Sequence, residues 1–186
     1  MAKKGKSVGK KRRKRGAGKG RLSVLEAARA AAVEAADSEA KAGMFARTRS
    51  SAASLAPKGS EVRQGTPPGI PQASDVICEV AEPLLEGLAG NDVAGARKAL
   101  LFACVAWNAS VDAGGRIPQA LASLTQLLAG VGLPPAVMGF AEHLVRRKGQ
   151  LFPDDHRTIL QTDVELLPSG EMYVTAVASY PPGMWK

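Results

Sequence analysis

Apolar residues recur at helical spacing in four stretches between residues 74 and 149, which predicts four helices. The predicted helices cover 75–89, 92–112, 117–130 and 134–148, and Gly149 follows the last of them as its C′ residue. Pro83 lies inside the first helix, so a kink or a late start is expected there. The second helix is apolar nearly all round from Leu100 to Trp107 and is predicted to be the most buried.

The period of the apolar pattern changes to two after residue 157. Residues 158–166 and 172–177 alternate between apolar and polar, and the Pro168-Ser169-Gly170-Glu171 segment between them is typical of a turn, which predicts a β-hairpin. Two strands alone are marginal in water, so one face must pack on the helices or on another copy. Residues 74–186 are therefore predicted to form a globular α+β domain, mainly a bundle of about four helices with a C-terminal β-hairpin.

The first 73 residues hold little material for a core. Residues 1–22 consist mostly of Lys, Arg and Gly and are predicted to be disordered. Ser23 and Glu26 fit a capping box that begins an Ala-rich helix over 23–42. Because this helix has few large apolar side chains, we expect it to be weakly anchored and separate from the domain. Residues 43–73, with four prolines among Gly and Ser, are predicted to be a linker.

Charge is divided unevenly along the chain. Eleven of the first 22 residues are Lys or Arg and none is acidic, whereas the other residues carry 14 Lys and Arg against 17 Asp and Glu, a net charge of −3. We call residues 1–22 the basic arm; such a run of charge predicts a polyanionic partner. Its candidate nucleic-acid-binding residues are Lys3, Lys4, Lys6, Lys10, Lys11, Arg12, Arg13, Lys14, Arg15, Lys19 and Arg21.

The composition of the basic arm limits how it can bind. It has no aromatic, His, Asn or Gln residue with which to stack on bases or read their edges. We therefore expect sequence-independent contact with the phosphates of DNA, RNA or the ribosome by a non-enzymatic protein. A nuclear import signal, an anionic membrane and simple solubility are the other interpretations, and a protein-interaction or adaptor module is the alternative for the whole chain.

A membrane is the least favoured of these partners. The longest apolar stretch, Ala99 to Trp107, is far shorter than the roughly 20 residues that a span needs. The helix over 23–42 offers mostly Ala beside the basic charges, whereas a membrane anchor needs large apolar residues there. The expected location is the cytoplasm, or the nucleus in a eukaryotic host.

Few other residues indicate chemistry. Asp154, Asp155 and His156 could be metal ligands or an acid–base set, but a helix-to-strand connector with its charges in water is the favoured interpretation. His143 is interpreted as a structural or half-exposed residue. Asn108, in the most apolar helix, is expected to bond its amide to a neighbouring backbone.

The two cysteines, Cys78 and Cys104, both lie in apolar helical patterns and are interpreted as buried small side chains. A disulfide or a metal pair is the alternative, but no second cysteine stands near either one at a zinc-binding spacing. The sequence predicts no catalytic residue, no metal and no cofactor.

A pattern in the second half of the chain resembles small uncharacterised bacterial proteins with a helical body and a terminal strand pair. It runs from Ala106-Trp107-Asn108 through Arg147-Lys148 and Leu151-Phe152-Pro153-Asp154-Asp155 to Arg157 and Ile159. Some similar proteins carry a Cys-rich metal-binding tail, and this sequence has no Cys-rich segment. The resemblance therefore implies the fold class, and neither an activity nor a metal site.

Overall fold

The computed structural model describes residues 24–55, 65–129 and 136–181. In these residues the chain forms five helices followed by an antiparallel hairpin. The elements are α1 (Val24–Leu55), α2 (Ala73–Leu85), α3 (Val93–Asp112), α4 (Ile117–Ala129), α5 (Ala136–Leu151), β1 (Thr158–Leu166) and β2 (Met172–Ser179). The predicted class, α+β and mainly helical with a C-terminal hairpin, is confirmed.

The helix α3 is the centre of the domain, as its apolar sequence predicts. It packs against α2, α4, α5 and β1, and Leu100, Ala103 and Trp107 are buried along its length. Asp92 caps its first turn by accepting a hydrogen bond from the Gly95 backbone N–H at 2.8 Å. A helix that contacts neighbours on most sides needs apolar residues on most sides, which explains the pattern.

The hairpin lies between the helical bundle and α1. Its turn uses Gly170 at a φ of 89°, where glycine is favoured, and the Leu167 N–H donates to the Glu171 carbonyl at 2.8 Å. One face presents Ile159, Val164 and the cross-strand partner Val174 to the core of the bundle. The opposite face contacts α1, so both faces of this small sheet are covered at least in part.

The prediction that the first helix ends at residue 42 is wrong, because α1 continues to Leu55. The reason is a stripe of inward positions at helical spacing, in which Met44 is fully buried and Ala52 nearly so. Between them Thr48 shares a hydrogen bond of 2.9 Å with Thr175 of β2. Part of the predicted linker is therefore helix held by the hairpin, while the basic arm, Ser23 and residues 56–64 lie outside the described residues.

Two further helix ends differ from the prediction. Gly149 is not a C′ residue: α5 continues to Leu151, and the Phe152 N–H still bonds to the Lys148 carbonyl at 2.9 Å. The helix α2 ends at Leu85 rather than 89, so Pro83 stands in its last turn. Pro83 has no N–H to donate to the Glu79 carbonyl, and the Arg147 Nε donates to that carbonyl at 2.9 Å instead.

Candidate functional site

The most unusual side chain in the described structure is Arg157, which has no exposed surface. It precedes β1 directly, at the end of the connector from α5. A buried guanidinium is costly unless its charge is paired and its donors are bonded. The question at this position is therefore which groups compensate the charge of Arg157 and bond its N–H donors.

Each part of the Arg157 guanidinium has a partner. Its Nε lies 2.8 Å from Oδ2 of Asp155, and its Nη2 lies 2.5 Å from the same oxygen. Its Nη1 donates to the Pro71 carbonyl at 2.8 Å and to the Tyr180 hydroxyl oxygen at 3.1 Å. The Tyr180 ring centroid lies 5.5 Å from the guanidinium carbon. One arginine thus joins the segment before α2, the connector after α5 and the end of β2.

Two side chains of α3 also bond to the backbone of the connector and of the start of β1. The Trp107 indole Nε1 donates to the Arg157 carbonyl at 2.7 Å. One residue on, the Asn108 Nδ2 donates to the Ile159 carbonyl at 2.8 Å and its Oδ1 accepts from the Ile159 N–H at 2.9 Å. The predicted role of Asn108 in bonding a neighbouring backbone is confirmed, and its amide pairs with Ile159 as another strand would.

Lys148 of α5 is a second buried cation in this region, with 2% of its surface exposed. Its Nζ lies 5.1 Å from the Trp107 ring centroid, a favourable position for a cation over an aromatic face. Burial lowers the pKa of this amine, and the nearby carboxylates Asp155 and Asp154 act in the opposite direction. The cations Lys148 and Arg157 and the carboxylates Asp154 and Asp155 therefore lie near one another around the connector between α5 and β1.

A shallow hollow of about 260 Å³ opens beside this cluster. Its lining residues are Gly69, Ile70, Pro71, Leu151, Phe152, Pro153, Asp154 and Asp155. Most of the lining is apolar, and the Asp155 carboxylate is already engaged by Arg157. We interpret the cluster as a structural clamp and name Arg157, Asp155, Trp107, Asn108 and Lys148 the connector clamp.

The structure divides the acidic pair and histidine of the connector. Asp154 and His156 are exposed, as expected of a connector in water. The expectation is wrong for Asp155, whose side chain is only 12% exposed and paired with Arg157. Sequence reasoning passed over Arg157 as well. The available signal was an Asp-x-Arg spacing immediately before an alternating strand, where a bidentate pair can close a short loop.

The other candidate residues have ordinary surroundings. Cys104 is buried, as predicted, whereas Cys78 is only half-buried and packs against the core; both thiols are free. Burial raises the pKa of each thiol to about 11, so both are protonated and weakly nucleophilic at neutral pH. His143 is exposed on α5.

The described residues contain neither a group of side chains arranged as a metal site nor a helix able to span a membrane. No group of three or more His, Cys, Asp and Glu side chains within 24–55, 65–129 and 136–181 is arranged to hold a metal ion. In the same ranges, every helix is too short or too polar to cross a bilayer.

All eleven candidate nucleic-acid-binding residues of the basic arm lie outside the described residues. Comparison of the chain with protein-family models, with curated proteins and with solved structures finds no match. The charge of the arm and the contacts of the described body are therefore the observations from which a function can be inferred.

The buried amine gives a pH-dependent prediction. A lowered pKa means that the Lys148 amine holds its proton less tightly in the folded chain than in the unfolded chain. In an unfolded chain the pKa of a lysine is about 10.4. The burial penalty is then complete below the folded pKa and disappears as the pH rises towards the unfolded value. Lys148→Met should therefore stabilise the protein by about 1 kcal/mol at pH 7, since apolar replacement of a buried charge is often favourable.

Urea unfolding of wild type and Lys148→Met at a series of pH values tests this prediction. The difference in unfolding free energy should shrink as the pH rises through the lowered pKa of Lys148 towards that of an unfolded lysine. Lys98→Met, at an exposed position on α3, is the matched control and should change stability by less than about 0.5 kcal/mol. A Lys148→Met protein that is less stable than wild type at pH 7 would show that the cation–π contact and the carboxylates outweigh desolvation.

Proposed function

We propose that this is a non-enzymatic protein that binds nucleic acid, alone or within the ribosome, through the phosphate contacts of its basic arm. The observation that carries the proposal is the separation of charge, +11 on the first 22 residues against −3 on the rest. Lysine and arginine clusters bind nucleic acid mainly by neutralising phosphates and releasing counterions. A net-negative body adds no such attraction, so the affinity should reside in the arm.

The chemistry of the arm favours binding without sequence preference. Its cations can contact phosphate oxygens, but it offers neither aromatic rings to stack on bases nor amide side chains to read them. DNA, RNA and ribosomal RNA present the same phosphate chemistry to such a segment. Any preference among them must come from the body or from the shape of the nucleic acid.

The attachment of the arm to the body also fits this proposal. The helix α1 begins at Val24, directly after the arm, and residues 26–32 are all exposed. The Asp37 carboxylate joins α1 to the hairpin by accepting a hydrogen bond from the Ser169 N–H at 3.0 Å. At 1.5 Å per residue, Val24 stands about 20 Å along the helix from Asp37. The arm is thus joined to an exposed stem that the hairpin anchors.

The proposal that the protein is not an enzyme is supported by the partners of its buried polar groups, which are bonded to other groups of the protein. Arg157 and Asp155 are engaged with each other, Asn108 is engaged with the backbone of β1, and both thiols are protonated at neutral pH. Catalytic groups are usually found in a pocket with polar atoms free to meet a substrate. The hollow beside the connector clamp has mostly apolar walls instead.

The test measures the affinity of labelled duplex DNA and single-stranded RNA for the full chain and for residues 23–186, by fluorescence anisotropy over a range of salt. The full chain should bind both, and the logarithm of its affinity should fall linearly with the logarithm of salt, by about 0.7–0.9 per phosphate contacted. Residues 23–186 should bind at least about a hundredfold more weakly at low salt and show almost no slope.

Two matched variants identify the cause. An arm of the same composition in shuffled order should bind like wild type, because the charges act without reading sequence. An arm of the same length with Ser at the eleven basic positions should behave like residues 23–186. Equal affinity of the full chain and of residues 23–186 would overturn the proposal. A stoichiometric protein partner that survives nuclease treatment would then favour the adaptor interpretation.

A further inference from the structure

The two strands of the hairpin differ in how their outer edges are covered. Along each strand of an antiparallel pair, one residue directs its N–H and C=O groups towards the partner strand and the next residue directs them away from it. The Leu167–Glu171 bond at the turn sets this alternation, so Val164 and Val174, which face each other in the register, direct their backbone groups outwards. The bonds of Val164 to other parts of the chain agree with this assignment.

The outer edge of β1 is occupied by side chains of α3. The Arg97 Nη2 donates to the Val164 carbonyl at 2.9 Å, and the Val164 N–H donates to the Asp163 carboxylate at 2.8 Å. Asn108 takes both backbone groups of Ile159. The outward backbone groups of Thr162, between these two positions, have no hydrogen-bond partner among the described residues. Because the positions on either side are occupied, β1 offers no continuous edge with which another strand could pair.

The outer edge of β2 has no such cover among the described residues. The outward N–H and C=O groups of Val174, Ala176 and Ala178 have no hydrogen-bond partner within residues 24–55, 65–129 and 136–181. The burial of the two strands agrees: Val164 is fully buried, while its cross-strand neighbour Val174, which faces the same core, remains partly exposed. The open edge of this hairpin is therefore β2.

The sequence of β2 lacks the features that keep open edges from pairing. Natural edge strands commonly carry an outward lysine, a proline or a bulge. Residues 172–179 contain no charged residue and no proline, and the irregularity in the register lies on β1, between Ile159 and Gln161. Phe45 of α1, which is 40% exposed, lies beside this strand with its ring centroid 6.0 Å from that of Tyr173. The residues of the strand itself are thus uncharged, and its neighbours on α1 are the exposed Phe45 and the Lys41 ammonium, which lies 5.2 Å from the Tyr173 ring centroid.

We propose that β2 pairs with β2 of a second copy of this chain, in antiparallel orientation about a two-fold axis at Ala176. In this arrangement Val174 of each copy faces Ala178 of the other, and the two Ala176 residues face each other. Each facing pair exchanges both of its backbone hydrogen bonds, so the outward groups on both copies are satisfied. The two hairpins become one four-stranded sheet, which removes the marginal stability of a two-stranded one.

A second copy fits this edge better than a different protein because the edge offers nothing to select a different one. Specificity between strands comes from complementary charges or from pockets for alternate side chains. The residues of β2 carry no charge, and the side chains of Val174, Ala176 and Ala178 pack against the core, so they form no pocket at the edge. An antiparallel two-fold pairing is self-complementary for an uncharged strand, and like-charge repulsion does not oppose it.

The full chain, treated with nuclease and kept in high salt to exclude bridging by nucleic acid, provides the test. Sedimentation equilibrium should show a dimer that dissociates on dilution. Amide exchange measured by NMR over the same dilutions should show protection at Val174, Ala176 and Ala178 in the dimer that is lost in the monomer. The amides of Thr175 and Val177, which face β1, should stay protected throughout and serve as internal controls.

Ala176→Pro removes one outward N–H and leaves the bonds to β1 in place, so it should produce a folded monomer. Leu160→Pro is the matched control, because Leu160 has no cross-strand partner in the register and lies on the covered strand; this variant should remain dimeric. The proposal is overturned if wild type is monomeric at every concentration, whether its β2 amides exchange rapidly or are protected by another segment of its own chain. It is also overturned if Ala176→Pro remains a dimer.

Discussion

Asp155→Asn is expected to lower the free energy of unfolding by about 3–5 kcal/mol, the usual cost of removing one partner from a buried ion pair. The Arg157 side chain has no exposed surface, so water cannot replace the lost carboxylate beside its guanidinium. Its remaining partners, the Pro71 carbonyl and the Tyr180 hydroxyl, are neutral. The penalty should therefore appear in the folded state and be seen as a lower urea midpoint.

Asp154→Asn is the matched control, since it makes the same chemical change one residue away at an exposed position. It should cost less than about 0.5 kcal/mol. Combining Asp155→Leu with Arg157→Met should restore much of the loss of Asp155→Asn, because the buried charge of Arg157 is removed together with its partner. The Lys148 amine loses the nearby Asp155 carboxylate in both variants, so the restoration should be incomplete. If Asp154→Asn and Asp155→Asn cost the same, the connector clamp does not stabilise the fold as we describe.

The elements that sequence predicted well are those whose signal is local. The apolar run from Leu100 to Trp107 marks α3 because a central helix needs apolar residues on most sides. The strands were equally clear, since alternation around Gly170 reports both the pleat and the turn. Neither prediction requires knowing which other element of the fold packs against α3 or against the strands.

The parts that sequence missed depend on contacts between distant residues. The second half of α1 contains Gly43, Thr48 and several serines, which are weak helix formers, and it is helical because Met44 and Thr48 meet a hairpin more than a hundred residues later. Arg157 looked like one more exposed charge because its partner Pro71 lies 86 residues away. A single sequence gives no sign of such pairings.

The same limit applies to the strand edges, which look alike in sequence. Arg97 looks like an ordinary exposed residue of a helix, and only the structure shows that Arg97 and Asn108 bond to the backbone of β1. Asn108 was the exception, because an amide in a strongly apolar helix demands a partner whatever the fold. Sequence could thus predict that Asn108 is bonded but could not predict that it covers a strand edge.

Asn108→Leu should cost about 2–4 kcal/mol although it keeps the size of the side chain. The leucine can neither donate to the Ile159 carbonyl nor accept from the Ile159 N–H, and each orphaned buried group costs about 1–3 kcal/mol. The backbone of Ile159 is buried, so water cannot take the place of the amide without disturbing the start of β1.

Asn91→Leu makes the same substitution at an exposed position before α3 and should be close to neutral. Hydrogen exchange separates the lost bonds from a general loosening. In Asn108→Leu the Ile159 amide should exchange far faster than in wild type, by more than the change in global stability explains, while the Thr175 amide should follow global stability alone. Equal acceleration at both amides would mean that Asn108 stabilises the core by packing. Selective acceleration at Ile159 would establish that a side-chain amide serves as the neighbouring strand of β1, which is the feature that leaves β2 as the one open edge of the described hairpin.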